Sequence, residues 1–97
     1  MRNRSRTEII AAILRSTGNG ATKTQLMYRA YLSYSQVHEY LRFLQERGLM
    51  SYEEGTHHYK VTKKGVQFLK AADRAESLIS AAPEKPAETV QPLSELA

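Results

Sequence analysis

The stretch Leu32 to Gly48, LSYSQVHEYLRFLQERG, constrains the chain most, because it carries a helix start, a helix stop and two chemically distinct faces. Ser33 and Gln36 have the spacing of a capping box, in which the Ser33 hydroxyl accepts from the Gln36 amide and the Gln36 side chain reaches back to the Ser33 amide. Val37, Tyr40, Leu41 and Leu44 then recur at three-and-four spacing, and Gly48 supplies a stop that tolerates left-handed backbone. That face belongs to a core. At about 100° per residue, Ser35, Glu39, Arg42 and Glu46 point the other way, flanked by Gln36 and His38. Any amphipathic helix has a polar outer side, so the neighbours decide what this face is for.

A second box, Thr22 with Gln25, precedes Leu26, Met27 and Ala30 and predicts a short helix from Lys23 to Tyr31. Only a few residues around Leu32 and Ser33 then remain before the next helix, too few for a long antiparallel hairpin and suited to a helix-turn-helix corner. The glycine usual in such a corner is missing, and capping at Ser33 and Tyr34 is expected to manage the turn. A third box, Ser5 with Glu8, starts a helix near Arg6, with Ile9, Ile10, Ile13 and Leu14 as its stripe and Gly18-Asn19-Gly20 as its end. Arg2, Arg4 and Arg6 lead into it, either as an arm against phosphates or as a solvated terminus.

After Gly48, Leu49 to Glu53 and His57 to Val61 flank a Glu54-Gly55 turn and read as a two-stranded hairpin. Tyr59 and Val61 share one face of the returning strand, His58 and Lys60 the other. Thr62 caps a last helix whose first turn holds Lys63 and Lys64, which the helix dipole disfavours, and Gly65, which is expected to permit close approach to a neighbour. Its apolar seam, Val66, Phe68, Leu69, Ala72, Ala75, Leu78 and Ile79, runs to about Ser80, longer than a domain of this size needs to cover itself. From Ala81 the sequence APEKPAETVQPLSELA turns proline-rich and acidic. The layout expected is mainly α with a small β-hairpin, a winged helix-turn-helix: residues 1–61 the winged domain, 62–80 a helix available for dimerisation and 81–97 a flexible tail.

The 97 residues suit one domain, and the absence of cysteine excludes disulfides, thiol catalysis and zinc fingers. No apolar run approaches the roughly 18 residues of a membrane span, and the basic start lacks a signal-peptide core, so a cytoplasmic protein is expected. Through Lys70 there are twelve Lys and Arg against five Glu, and beyond it two against five acidic residues, so the body is basic and the tail acidic. A basic body favours polyanions through counterion release. No glycine-rich phosphate loop or nucleophile elbow occurs, and His57 and His58, adjacent on a strand, point apart and frustrate chelation. Neither an enzyme nor a metal or cofactor site is expected.

With RSRTEIIAAIL, GATKTQLMYRAYLSYSQVHEYLRFLQERGLM and YKVTKKGVQFL in order, the chain from about Arg4 to Ser80 resembles small archaeal winged helix-turn-helix DNA-binding proteins. That resemblance implies a helix Tyr34 to Arg47 in the major groove, a hairpin wing beside it, a last helix pairing subunits as a coiled coil, and a role as transcriptional regulator or chromatin-associated protein.

For base reading of double-stranded DNA the outward face offers Ser35, Gln36, His38, Glu39 and Arg42, with Arg42 able to fork onto guanine and Gln36 onto adenine. Phosphate contacts are expected from Arg4, Arg6, Thr22, Lys23, Ser33, Tyr34, His58, Lys60, Lys63 and Lys64, with Arg29 a further cation. Dimerisation is expected through Phe68, Leu69, Ala72, Ala75, Leu78 and Ile79. The alternative is a protein-interaction module without DNA binding, for which Tyr28, Tyr31, Tyr34 and Tyr40 provide aromatic surface. Glu53 and Glu54 are unusual on a wing that touches phosphate.

Overall fold

A computed structural model describes residues 4–81. Four helices and one hairpin follow in the order α1 (Arg6–Arg15), α2 (Lys23–Arg29), α3 (Tyr34–Glu46), β1 (Met50–Glu53), β2 (His58–Val61) and α4 (Lys63–Ser80). All three capping boxes form, with Ser5, Thr22 and Ser33 each accepting from the amide three residues on and receiving the reciprocal side-chain contact. These local signals start the first three helices because each satisfies two otherwise orphaned amides.

α1, α2 and α3 close around one core of Ile10, Ile13, Leu14, Leu26, Ala30, Leu32, Val37, Leu41 and Leu44, with Ala21, Leu49 and Met50 completing it. Tyr40, Phe43, Tyr59, Val61, Phe68 and Leu69 pack around its edge. Burying a leucine or isoleucine of this kind is worth roughly 1.5–3 kcal/mol, so the helices are held by this shared interior rather than by propensity.

α2 stops two residues earlier than the spacing predicts, and the reason is Tyr31. Its φ of 56° is left-handed, and Leu32 N–H donates across the end to the Met27 carbonyl at 3.0 Å. α3 ends in the same pattern, with Gly48 at φ 72° and Leu49 N–H on the Leu44 carbonyl at 2.9 Å. Tyrosine thus occupies the place that glycine holds elsewhere in the same chain. The corner relies on Tyr31 as well as on the Ser33 cap.

β1 and β2 pair antiparallel, Met50 with Val61, Ser51 with Lys60, Tyr52 with Tyr59 and Glu53 with His58. Residues 54–57 make the turn. His57 lies in it at φ 58°, not in the strand, so the two histidines are separated by backbone conformation rather than by strand alternation. A hairpin alone is marginal, and two contacts anchor this one. Ala21, in the α1–α2 connection, exchanges both backbone hydrogen bonds with Tyr59, at 3.0 and 2.7 Å. At the base of the hairpin, Gly65 of α4 is buried so closely that an added Cβ would overlap the Leu49 carbonyl oxygen and come within 2.5 Å of Val61 Cγ2. The expected close approach at Gly65 is there. Thr62 caps α4, accepting from Gly65 N–H at 3.1 Å and donating to the Gly48 carbonyl at 2.6 Å.

The first turns of α4 belong to this core through Phe68 and Leu69, and Asp73 forms an ion pair with Arg15 of α1. Further along, Leu78 and Ile79 are 67% and 79% exposed. No helix among the described residues is long and apolar enough to cross a membrane.

Candidate nucleic-acid interface

The outward side of α3 is built as its periodicity requires: Val37, Leu41 and Leu44 are buried, while Ser35, His38, Glu39, Arg42 and Glu46 are exposed. Arg42 makes no hydrogen bond or ion pair with the described residues, so Glu46 four positions on is not its partner. A guanidinium held on a helix face with no partner among the described residues keeps all five donors for an external acceptor. Ser35 shares a 3.3 Å hydroxyl contact with Ser33. Gln36 Oε1 accepts from Ser33 N–H at 2.9 Å. The cap therefore holds Gln36 toward the start of α3, and a fork onto adenine would require breaking it.

One flank of α3 joins α2. Lys23 Nζ donates to His38 Nδ1 at 2.9 Å, and the same ammonium lies 4.9 Å from the centroid of the Tyr34 ring. Tyr34 and His38 stack with ring planes 7° apart. Lys23 and Tyr34, expected to meet phosphate, and His38, expected to read bases, thus make one cluster at the front of the two helices. The contact with Lys23 requires an unprotonated Nδ1 on His38.

The opposite flank brings Arg6, expected to meet phosphate, together with Phe43 and Arg47, which sequence reasoning missed. The guanidinium carbons of Arg6 and Arg47 lie 4.2 and 5.1 Å from the centroid of the Phe43 ring. Arg6, Glu39, Tyr40 and Phe43 line a shallow hollow of about 210 Å³ there. Phe43 falls between the buried and polar sides of α3, and only the placement of α1 shows what it does.

Several expected phosphate ligands are occupied by the chain itself. Arg4 donates to the carbonyls of Ala30 and Tyr31 at 2.7 and 2.9 Å, capping α2, so it is fixed to the corner and not part of a loose arm. Lys64 donates to the Arg47 carbonyl at 2.7 Å and Arg29 to the Ser16 carbonyl at 2.9 Å. Each places a cation at a helix C-terminus, where both the orphan carbonyls and the dipole favour it. Thr22 and Ser33 hydroxyls accept from their own helix amides, at 3.2 Å in both boxes. Lys63 remains exposed on α4.

On the wing, Lys60 is 3.6 Å from Glu53, and Thr56 donates to Glu53 at 2.6 Å. The Thr56 hydrogen bond, then the Lys60 charge, hold the Glu53 carboxyl below its ordinary pKa. Glu53 therefore turns toward the wing's own lysine. His58 packs its ring over Gly20, 3.4 Å from where a Cβ would sit, and His57 Nδ1 contacts the Tyr52 hydroxyl at 2.7 Å. Burial raises the Tyr59 hydroxyl above its ordinary pKa, with Tyr52 and Tyr34 adding to it. Among the described residues no three His, Asp or Glu side chains converge as a metal would need.

Of the six residues expected to pair subunits, Phe68 and Leu69 pack on the chain's own core. Ala72, Ala75 and Ile79 line a groove against α1, while Leu78 is exposed outside that groove. The tail, residues 82–97, lies outside the described residues.

Comparison with known proteins bears on this arrangement. The crystal structure of Sso10a-2, a DNA-binding protein from Sulfolobus solfataricus, superposes with a TM-score of 0.65 at 21% sequence identity, over 82% of this chain and 100% of that one. No curated protein matches the sequence at a significant level. The sequence matches the family model described as winged helix-turn-helix over residues 3–80, which spans every helix and the hairpin. The chain belongs to the winged helix-turn-helix family.

Proposed function

We propose that the protein binds double-stranded DNA with α3 in the major groove and reads base edges chiefly through Arg42, as a transcriptional regulator or chromatin-associated protein of the nucleoid. The observation that carries this reading is Arg42 itself, exposed on α3 and unpartnered among the described residues, beside the Lys23, Tyr34 and His38 cluster. Family membership and the DNA-binding character of the Sulfolobus structure support it. In this reading Lys23 supplies the phosphate contact nearest the base-reading face, Ser35, His38 and Glu39 complete the surface presented to the groove, and Lys60 and Lys63 are peripheral. The chemistry is binding rather than catalysis. Two chains pair through the distal part of α4, where Leu78 and Ile79 leave apolar surface uncovered. Light scattering of the full chain and of a Leu78→Glu, Ile79→Glu variant tests this: the variant should have half the mass, and equal masses would refute pairing there.

The test of base reading is Arg42→Ala in a salt series against a preferred and a random duplex. A bidentate contact discriminates by roughly 1–3 kcal/mol, so the variant should lose about 5- to 150-fold on the preferred duplex and far less on the random one. Equal loss on both would remove base reading.

A second reading, a protein-binding winged helix, is favoured by Tyr28, Tyr31 and Tyr34, which are 70%, 85% and 63% exposed. Salt separates the two. Phosphate-driven binding weakens steeply as salt rises, whereas a tyrosine-dominated interface does not.

A further inference from the structure

Beyond Arg42 and Lys23, we propose that Arg6, Phe43 and Arg47 form a second phosphate-contacting element on the far flank of α3, so that this helix meets the backbone of each DNA strand with a cation already in place. The proposal rests on the DNA-binding reading above and concerns which side chains hold the helix in the groove.

Nine residues at about 100° each are two turns and a half, so Phe43 lies opposite Tyr34 around α3 and Arg47 lies opposite His38. Lys23 is fixed against Tyr34 and His38 on one flank. Arg6 and Arg47 are fixed against Phe43 on the other. An α-helix with its side chains is about 10–12 Å across, and the major groove is about 12 Å wide. A helix filling that groove with Ser35, Glu39 and Arg42 inward therefore turns its two flanks to the two walls, each of which is the phosphate backbone of one strand.

Both arginines are suited to such a wall. Arg6 and Arg47 are exposed, and neither forms an ion pair with a described carboxylate. Phe43 is partly buried at the edge of the core, so its ring is a fixed platform. A guanidinium resting on it by cation–π attraction gives up less conformational freedom on meeting a phosphate than a freely moving side chain. The two guanidiniums come from different elements, the first turn of α1 and the residue closing α3, so the ring gathers cations from both at one place. The hollow beside it, about 210 Å³, is smaller than the roughly 300–1,000 Å³ of small-molecule sites, which suits one anionic group of a polymer lying across it. Glu39 lines the same hollow on the side nearer the outward face, where it meets base edges rather than backbone. Phe43 acts through the arginines and is a positioning residue.

The experiment is a titration of the full-length chain against a mixed-sequence duplex over a salt series, with Arg6→Gln, Arg47→Gln, Lys23→Gln and Phe43→Leu. Each lost phosphate contact flattens the dependence of log K on log salt by about 0.9. Arg6→Gln and Arg47→Gln are each expected to do so, as is Lys23→Gln. Phe43→Leu keeps every charge and should weaken binding several-fold at low salt while the chain still melts cooperatively. Wild-type slopes for both arginine variants beside a flattened slope for Lys23→Gln would overturn the second element and leave DNA binding standing. A wild-type chain without salt-dependent DNA affinity would sink DNA binding itself. Wild-type affinity in Phe43→Leu would overturn the role of the ring. Should that variant fail to fold, the two arginine variants decide.

Discussion

α3 and the wing carry similar side chains, yet the fold treats them differently. On α3, Glu39, Arg42 and Glu46 are exposed and take no part in ion pairs with the described residues. On the wing, Lys60 leans on Glu53, Glu53 accepts from Thr56, His57 meets Tyr52, and His58 covers Gly20. The wing's polar groups pair mainly with one another, as a hairpin of two four-residue strands with little core of its own requires. The outer face of α3 is relieved of that duty because its inner face is already anchored by Val37, Leu41 and Leu44. Charge that is free to meet a partner therefore sits where packing elsewhere has made it unnecessary for folding.

The contrast can be broken most forcefully at Gly65. Alanine there must displace the Leu49 carbonyl or Val61. Overpacking of this kind costs about 1–3 kcal/mol, against which alanine's better helix propensity recovers at most about 1. Gly65→Ala should lower the thermal midpoint by several degrees, whereas Arg42→Ala and Ser35→Ala should stay within about 0.5 kcal/mol of wild type in urea unfolding. Comparable losses at all three positions would erase the distinction. Gly20→Ala comes next. At φ 134° only glycine is at ease, and the added methyl would press on the His58 ring, so a loss of about 1–3 kcal/mol is expected, weighted to the lower end because a side chain can yield. Faster amide exchange at Tyr59, bonded to the neighbouring Ala21, would report it.

A smaller effect sharpens the electrostatic side. Because Lys60 must leave Glu53 to reach a phosphate, Lys60→Gln should flatten the salt dependence of DNA binding by well under the 0.9 or so of a full contact, and Glu53→Gln should steepen it. The smallest effect is at high pH. With its pKa raised by burial, Tyr59 holds its proton in the folded chain after the unfolded chain has lost it, so its contribution is complete below pH about 10 and is lost as pH rises further. Tyr59→Phe should remove that part of the alkaline destabilisation, and an unchanged alkaline limb in urea unfolding would refute the assignment.

Much of this molecule was legible from residues close together in the chain. The boxes at Ser5, Thr22 and Ser33, the Gly48 stop, the hairpin alternation and the close approach at Gly65 depend on contacts spanning a few residues, or on a residue type with few uses. Tyr31 escaped because a tyrosine in left-handed backbone has no local signature: Arg4, twenty-seven positions away, holds its carbonyl. For the same reason charge counting gave no sign of the bonds that some cations make within the chain. Arg4, Arg29 and Lys64 read as available cations until the helix ends that they cap came into view.

The sequence alone determined where helices start, which side of each faces inward, and that Arg42 lies on the outside of α3. Hydrogen bonds within one turn and the periodicity of apolar residues suffice for that. The tertiary structure decided which cations remain free, that Lys23 and His38 meet, and that Phe43 carries two arginines. Those outcomes depend on how separate elements are set against one another, and side-chain reach across a shared core has no counterpart in local spacing.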